Sequence, residues 1–157
     1  MSEKQDTHPI LVPVDFSAHS EAALLKACEL AECMRLPIVV LHVVHDPGEM
    51  PGYYSKLTKK KQLVRIEDLA KEMLDRFMQK MQTRHAELKC LKKASVMLVV
   101  GLPVTRILQV ADKLDAAMIV MGSQGLTGLK HILLGSKAEQ VVRLAPMPVT
   151  IVKPVQA

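Results

Sequence analysis

The sequence predicts an α/β fold: a single domain built on an open, five-stranded parallel sheet with helices on both faces. Five short aliphatic runs rich in Val and Ile alternate little with polar residues, which is typical of strands buried on both faces. Between these runs, apolar residues recur at three- to four-residue steps, as in amphipathic helices. Strands alternating with helices imply right-handed crossovers and a parallel sheet. A chain of 157 residues fits one domain, which we place over residues 1–157.

The strands are assigned to the aliphatic runs in chain order. They cover residues 10–14, 38–44, 96–100, 116–121 and 149–152. Ligands of such sheets bind at the carboxyl ends of strands, where the strand order reverses. Asp15 and Gly122 both lie at predicted carboxyl ends, so we expect them near a ligand.

Four helices are expected between the strands. Ser17 caps the first helix, which ends before Pro37. The second and longest has apolar positions spread over residues 63–88. Pro103 opens the third, because proline is favoured at the first helical position. Residues 45–61 have the proline and glycine density of a mobile loop, and residues 1–8 form a polar tail.

Composition and charge argue against several classes of protein. No apolar run approaches the length of a membrane span, and the first residues lack the apolar core of a signal peptide. We therefore expect a cytoplasmic protein with no membrane partner. The net charge is +5, but the positively charged residues cluster only at residues 59–61 and are not interleaved with aromatic residues. We therefore expect no nucleic-acid partner.

The three cysteines, Cys28, Cys33 and Cys90, are an odd and sparse set. Such a set argues against a disulfide framework, and we expect reduced thiols. Cys28 and Cys33 are separated by roughly 140° around a helix, which does not suit a shared metal ion. Both are interpreted as small core residues.

The most informative segment follows the fourth strand. We expect Gly122 and Gly125 to adopt backbone angles closed to other residues and to let a ligand approach. Ser136 and Glu139 form an S-x-x-E capping box, which predicts a helix over residues 136–144. Its free N–H groups and positive dipole end would face an anion above Gly135. The segment therefore predicts a nucleotide-phosphate site.

The spacing excludes the two commonest nucleotide motifs. A Walker A loop requires G-x-x-x-x-G-K-[ST], which the chain lacks. The dinucleotide fingerprint G-x-G-x-x-G should follow the first strand, but Pro13, Val14 and Asp15 stand there instead. NAD and FAD are therefore not expected.

The spacing Gly122-x2-Gly125-x9-Gly135-Ser136 resembles the ATP-binding signature G-x2-G-x9-G-[ST] of the universal stress protein family. Four other landmarks of that family occur in the right order: Pro13-Val14-Asp15-x-Ser17, Val43, Gly101-x-Pro103 and Pro148-Val149-x-Ile151-Val152. The resemblance covers nearly the whole chain and implies a Rossmann-like sheet of strand order 3-2-1-4-5. In that order Asp15 faces the glycine loop.

The resemblance also implies a binding site for ATP, with Mg²⁺ as a companion ion. Carried over residue by residue, the site comprises Pro13, Val14, Asp15, Val43, Met121, Gly122, Ser123, Gln124, Gly125, Leu126, Thr127, Gly128, Gly135, Ser136, Lys137 and Ala138. Asp15 would accept hydrogen bonds from the ribose or the adenine amino group; its alternative role is a helix cap beside Ser17. The chain departs from the common family pattern at two positions. That pattern has a basic residue where Gln124 stands and an aliphatic residue where Lys137 stands. Lys137 either contacts a phosphate or points to solvent.

The function implied by the resemblance is that of an ATP-binding regulatory or stress-response protein. The family usually forms homodimers through its last strand, here the segment that begins at Pro148 and ends at Lys153. The residues include no activated nucleophile, His–Asp relay or carboxylate cluster, so we assign no catalytic residue and no metal site. Two alternatives stay open: a slow Mg²⁺-dependent ATP hydrolase and a nucleotide-free protein-interaction dimer.

Overall fold

A computed structural model describes residues 7–45, 59–126 and 134–155, with side chains described for all of these except residues 59–65. The described elements are β1 (Ile10–Pro13), α1 (Ala18–Met34), β2 (Ile38–Val44), α2 (Lys59–Arg84), α3 (Lys89–Lys93), β3 (Ser95–Val100), α4 (Pro103–Lys113), β4 (Met118–Gly122), α5 (Ser136–Leu144) and β5 (Val149–Val152). Most of the predicted tail (residues 1–6) and of the predicted mobile loop (residues 46–58) lies outside the described residues.

The sheet is parallel throughout and has the order β3-β2-β1-β4-β5, which confirms the predicted topology. The central strand β1 pairs with β2 as far as Pro13, opposite Leu41, but with β4 only as far as Leu11, opposite Ile119. Beyond Leu11 the ladder between β1 and β4 therefore stops, although the ladder to β2 continues. Strands β2 and β3 lie on one side of β1, and β4 and β5 lie on its other side. The strand order therefore reverses between β1 and β4, and this gap is the switch point of the sheet.

Each face of the sheet carries its own aliphatic core. On one face, α1, α2 and α3 pack against alternate strand residues such as Ile10 and Val12. On the other face, α4 and α5 pack against the intervening residues, among them Leu11 and Ile119. All four of these strand residues are fully buried. Burial of successive residues on opposite faces explains why the strand sequences show almost no polar alternation.

The helix starts agree with the prediction at two positions and differ at a third. Ser17 caps α1, because its Oγ accepts a hydrogen bond of 3.2 Å from the backbone N–H of Ser20. Pro103 occupies the first turn of α4. The predicted capping box at α5 is wrong: the N-cap residue is Gly135, which has extended backbone angles and makes no side-chain cap hydrogen bond. Ser136 is therefore already helical.

Several other boundaries differ from the prediction. Strand β1 ends at Pro13 rather than at residue 14, and β3 begins at Ser95 rather than at residue 96. Helix α2 begins at Lys59, so residues 59–61 of the predicted mobile loop are helical. It ends at Arg84, so the predicted helical segment does not continue to residue 88. A separate five-residue helix, α3, follows it and was missed. Strand β4 begins at Met118 rather than at residue 116.

The expectation of reduced thiols was wrong. Cys28 on α1 and Cys90 on α3 form a disulfide, with their Cα atoms 5.9 Å apart and a sequence separation of 62. Cys28 is buried as predicted, but Cys33 is an exposed, free cysteine, because it lies on the part of α1 that faces solvent. Among the helices that the structure describes, none has the length and apolarity that a membrane crossing requires.

Candidate functional site

A cavity of about 480 Å³ opens at the switch point, above the carboxyl ends of β1, β2 and β4 and beside the first turns of α4 and α5. Every predicted site residue that the structure describes lines this cavity. They are Pro13, Val14, Asp15, Val43, Met121, Gly122, Ser123, Gln124, Gly125, Leu126, Gly135, Ser136, Lys137 and Ala138. Thr127 and Gly128 lie outside the described residues.

Five further residues line the same cavity and were missed in the sequence. They are Ser20, Leu41, His42, Pro103 and Ile107. Two signals could have pointed to some of them. Leu41 and His42 precede Val43 at the end of β2, and Pro103 belongs to the Gly101-x-Pro103 motif. Leu41, Pro103 and Ile107 are apolar. Together with Val43 and Met121 they form an apolar wall, of the kind that ligand pockets present to flat or hydrophobic groups.

The carboxylate of Asp15 joins helix α1 to the glycine loop. Its Oδ1 accepts hydrogen bonds from the Ser17 backbone N–H (3.1 Å), the Ser17 hydroxyl (2.5 Å) and the Ser20 hydroxyl (2.6 Å). Its Oδ2 accepts one from the backbone N–H of Leu126, at 3.1 Å. The Oδ1 contacts are those of the capping role beside Ser17. Oδ2 faces the loop that lines the cavity, and the role of Asp15 toward a ligand stays a prediction.

These contacts also determine the charge of Asp15. Burial raises the pKa of its carboxyl group, but the hydrogen bonds from Ser17, Ser20 and Leu126 together lower it by more, so the pKa lies below its usual value of 3.8. Asp15 is therefore ionised at neutral pH. An ionised carboxylate can only accept hydrogen bonds, so this part of the cavity suits a donor on the ligand and disfavours an anion.

The turn between β1 and α1 is held by packing against β2 and α2. Phe16 has a left-handed φ of 68°, a conformation that costs a non-glycine residue about 1–2 kcal/mol. Its ring contacts those of His42 and Phe77, at centroid distances of 4.4 and 5.7 Å. His42 Nδ1 lies 2.8 Å from the carbonyl oxygen of Val14, which can only accept, so this nitrogen carries a proton. These contacts fix the turn that presents Asp15 to the cavity.

The backbone angles expected for Gly122 and Gly125 were wrong, and the room they leave for a ligand stays a prediction. Neither Gly122 nor Gly125 has a left-handed φ. A Cβ on Gly122 would lie 2.6 Å from the Cβ of His19 and 2.9 Å from its carbonyl carbon, and a Cβ on Gly125 would lie 2.5 Å from Asp15 Oδ2. Gly122 therefore lets α1 pack closely against the end of β4, and Gly125 lets the loop reach the Asp15 carboxylate. Both glycines make room for protein atoms.

Ser123 connects three elements around the cavity. Its backbone N–H donates to the carbonyl of Val152 on β5 (2.9 Å), and its carbonyl accepts from the N–H of Gly135 (2.7 Å). Its side chain is 2% exposed, and its Oγ lies 3.2 Å from Nδ1 of His19 on α1. The end of β4 is thus tied to β5, to the N-cap of α5 and to the first turn of α1.

The start of α5 supplies the positive end of the cavity. The first backbone bond of the helix runs from the N–H of Glu139 to the carbonyl of Gly135, at 2.9 Å. The N–H groups of Ser136, Lys137 and Ala138 therefore have no intrahelical acceptor, and the N-cap residue Gly135 has no side chain that could accept from them. Together with the exposed ammonium group of Lys137, they form a positive site of the kind that binds anions.

The fold and cavity define a doubly wound α/β protein with a ligand site at its switch point. The model of the Universal stress protein family matches residues 7–153. The chain therefore belongs to the universal stress protein family, as the signature and landmarks predicted.

Relatives of known sequence or structure agree with this assignment. A universal stress protein of Methanocaldococcus jannaschii is 32% identical over 152 residues, which cover 92% of this chain and 93% of that protein. The structure of the universal stress protein from Archaeoglobus fulgidus in complex with dAMP is 28% identical, with a TM-score of 0.62 over 94% of this chain and 98% of that one. UspA from Lactobacillus plantarum, 24% identical, shares the fold with a TM-score of 0.77 over 93% of this chain and 98% of that one.

Proposed function

We propose that this chain binds an adenine nucleotide, with ATP as the expected ligand, in the switch-point cavity. The observation that carries the proposal is that one cavity combines an apolar wall, an ionised acceptor and a positive helix start. A nucleotide has three parts that match them: a flat base, a sugar with hydroxyl donors and an anionic phosphate chain. The complex of the Archaeoglobus fulgidus relative with dAMP supports the ligand class.

The charges of the cavity favour one orientation of the ligand. Phosphates would be repelled by Asp15 and attracted by the N–H groups of α5 and by Lys137. The base would then lie against the apolar wall that includes Val43 and Met121, and a ribose hydroxyl or the adenine amino group would donate to Asp15. We infer that Mg²⁺, where present, arrives on the triphosphate. Within the described residues, no group of three or more His, Cys, Asp or Glu side chains could hold a metal ion.

We further propose that nucleotide occupancy regulates a homodimer formed through β5. In the described part of the chain β5 has β4 as its only neighbouring strand. The Pro148 carbonyl accepts a hydrogen bond from Ile119 on β4, and the Val152 carbonyl accepts one from Ser123, directly after β4. Because alternate residues of a strand bond to one neighbour, the backbone groups of Val149 and Ile151 point away from β4. This edge is open to a second copy of the chain.

The first test is mass spectrometry of small molecules released from the purified protein, followed by calorimetric titration with ATP, with and without Mg²⁺. We expect bound adenine nucleotide or micromolar binding of ATP. Substitution of Lys137 by Ala should weaken ATP more than adenosine, whereas Lys113→Ala, at the far end of α4, should leave both unchanged. The absence of both nucleotide and binding heat would contradict the proposal and favour the nucleotide-free interaction dimer. Turnover of ATP with Mg²⁺ would favour the slow hydrolase.

A further inference from the structure

We propose that His19 is a positioning residue for the phosphate-binding end of the cavity and acts through Ser123. The inference rests on the proposed function, because it concerns the part of the site that would hold phosphates. His19 itself does not line the cavity, whereas Ser123 does. Its effect on a ligand must therefore be transmitted by contacts within the protein.

The first contact in this path is between α1 and the end of β4. His19 lies in the first turn of α1, and its Nδ1 is 3.2 Å from the Oγ of Ser123. Ser123 is almost fully buried, so its hydroxyl group has little access to water as an alternative partner. The backbone of Gly122, directly before Ser123, packs so closely on His19 that a Cβ would not fit. The side chain and backbone of His19 together fix the position of residues 122 and 123.

The second contact runs from Ser123 to the start of α5. The Ser123 carbonyl accepts a 2.7 Å hydrogen bond from the N–H of Gly135, the N-cap residue of α5. A shift of Ser123 would therefore move the N-cap and the free N–H groups of residues 136–138. Hydrogen bonds to an anion depend steeply on distance and angle, so a small displacement of these donors weakens phosphate binding more than base binding.

The test compares ATP with adenosine, because only ATP carries phosphates. Calorimetry on the full chain gives the ratio of the two dissociation constants for the wild-type protein and for each variant. In His19→Ala we expect the advantage of ATP over adenosine to fall about tenfold, while adenosine affinity stays the same; a factor of ten corresponds to the loss of one ordinary contact. Ser123→Ala should also lower the advantage of ATP over adenosine. The double variant should be no worse than either single one, since both interrupt one path.

His19→Asn separates positioning from charge. Asparagine can place a polar atom near the position of Nδ1 but carries no positive charge. Positioning predicts that Asn restores most of the ATP preference, whereas direct attraction of phosphate by a charged imidazole predicts that Asn behaves like Ala. His85→Ala, on the distant α2–α3 connection, is the matched control and should change neither ligand.

Three results would overturn this inference and leave the proposed function standing. The first is ATP binding with an unchanged ratio in both His19→Ala and Ser123→Ala, and the second is an equal loss for ATP and adenosine, which would indicate general destabilisation. The third is failure of Asn to restore the ratio. If the wild-type protein bound neither ligand, the proposed function would fail and this inference with it.

Discussion

Replacing Gly122 by alanine tests whether this glycine serves the packing of α1 or the approach of a ligand. The added Cβ would lie 2.6 Å from His19 Cβ, 2.9 Å from its carbonyl carbon and 3.0 Å from its carbonyl oxygen. Favourable contacts between carbon atoms are about 3.5–4.0 Å, so α1 would have to move by about 1 Å. Backbone atoms cannot rotate away as a flexible side chain can. Overpacking of this kind costs about 1–3 kcal/mol.

Gly135→Ala is the matched control for this prediction. Its Cβ would lie 3.2 Å from the Ser123 carbonyl oxygen and 3.4 Å from the Gln124 Cα, so its neighbours need to yield by only a few tenths of an ångström. Alanine also restricts the unfolded chain, which stabilises the folded state of either variant by about 0.4–1 kcal/mol and offsets part of the cost of overpacking. We therefore expect Gly135→Ala to be nearly neutral for stability.

Urea unfolding measures the difference between the two variants. We expect a lower midpoint for Gly122→Ala at an unchanged m-value, and a midpoint close to wild type for Gly135→Ala. The fall should appear without any nucleotide present. If Gly122→Ala were as stable as wild type and lost only nucleotide affinity, the packing argument would be refuted and the role of ligand access restored to this glycine.

Three further predictions concern the carboxylate, the sheet edge and the disulfide. Asp15→Asn should weaken nucleotide binding by about 1–3 kcal/mol in calorimetry, since charge-assisted hydrogen bonds are lost. The pKa of Asp15 in the folded protein lies below 3.8, so its ionised carboxylate stabilises the fold fully above that pH. This stabilisation is lost as the pH falls towards the folded pKa. Asp15→Asn should therefore flatten this part of the acid unfolding curve. Ile151→Pro and Ile151→Ala lose similar packing, but only proline removes the outward N–H, so light scattering should show a monomer for proline and a dimer for alanine. Reduction of the Cys28–Cys90 disulfide should lower the free energy of unfolding by about 4 kcal/mol, given the sequence separation of 62. In the control variant Cys90→Ala, reductant should not change the free energy of unfolding. Three titratable thiols before reduction would contradict the presence of the disulfide.

The parts of the fold that follow from local pattern could be predicted. Five aliphatic runs gave the strands, and Ser17 and Pro103 marked two helix starts, because caps and first-turn prolines act on their immediate neighbours. The strand order came from the family resemblance, since local patterns do not specify which strands are neighbours. Helix α3 was missed because five residues are too few to show a helical period.

Two of the errors concern features that depend on residues far apart in the sequence. Whether Cys28 and Cys90 pair depends on how α1 packs against α3. The role of Gly122 depends on His19, more than a hundred residues earlier, and no sequence pattern connects the two. The capping box at Ser136 failed for a local reason: Gly135 adopts the extended N-cap conformation, and the helix begins one residue earlier than a serine cap would allow.

The early end of the ladder between β1 and β4 has a consequence for folding. Strands β1, β2 and β3 come from the first part of the chain, and β4 and β5 from the last, so the gap in the sheet is also a boundary between two contiguous stretches of sequence. Pairing within each stretch closes shorter loops than pairing across the boundary. The cavity takes Asp15 from one stretch and Ser123 and Ala138 from the other, so it does not exist until the two have docked. A ligand held there would bind only the finished fold, and its binding would favour the docked state over every partly folded one.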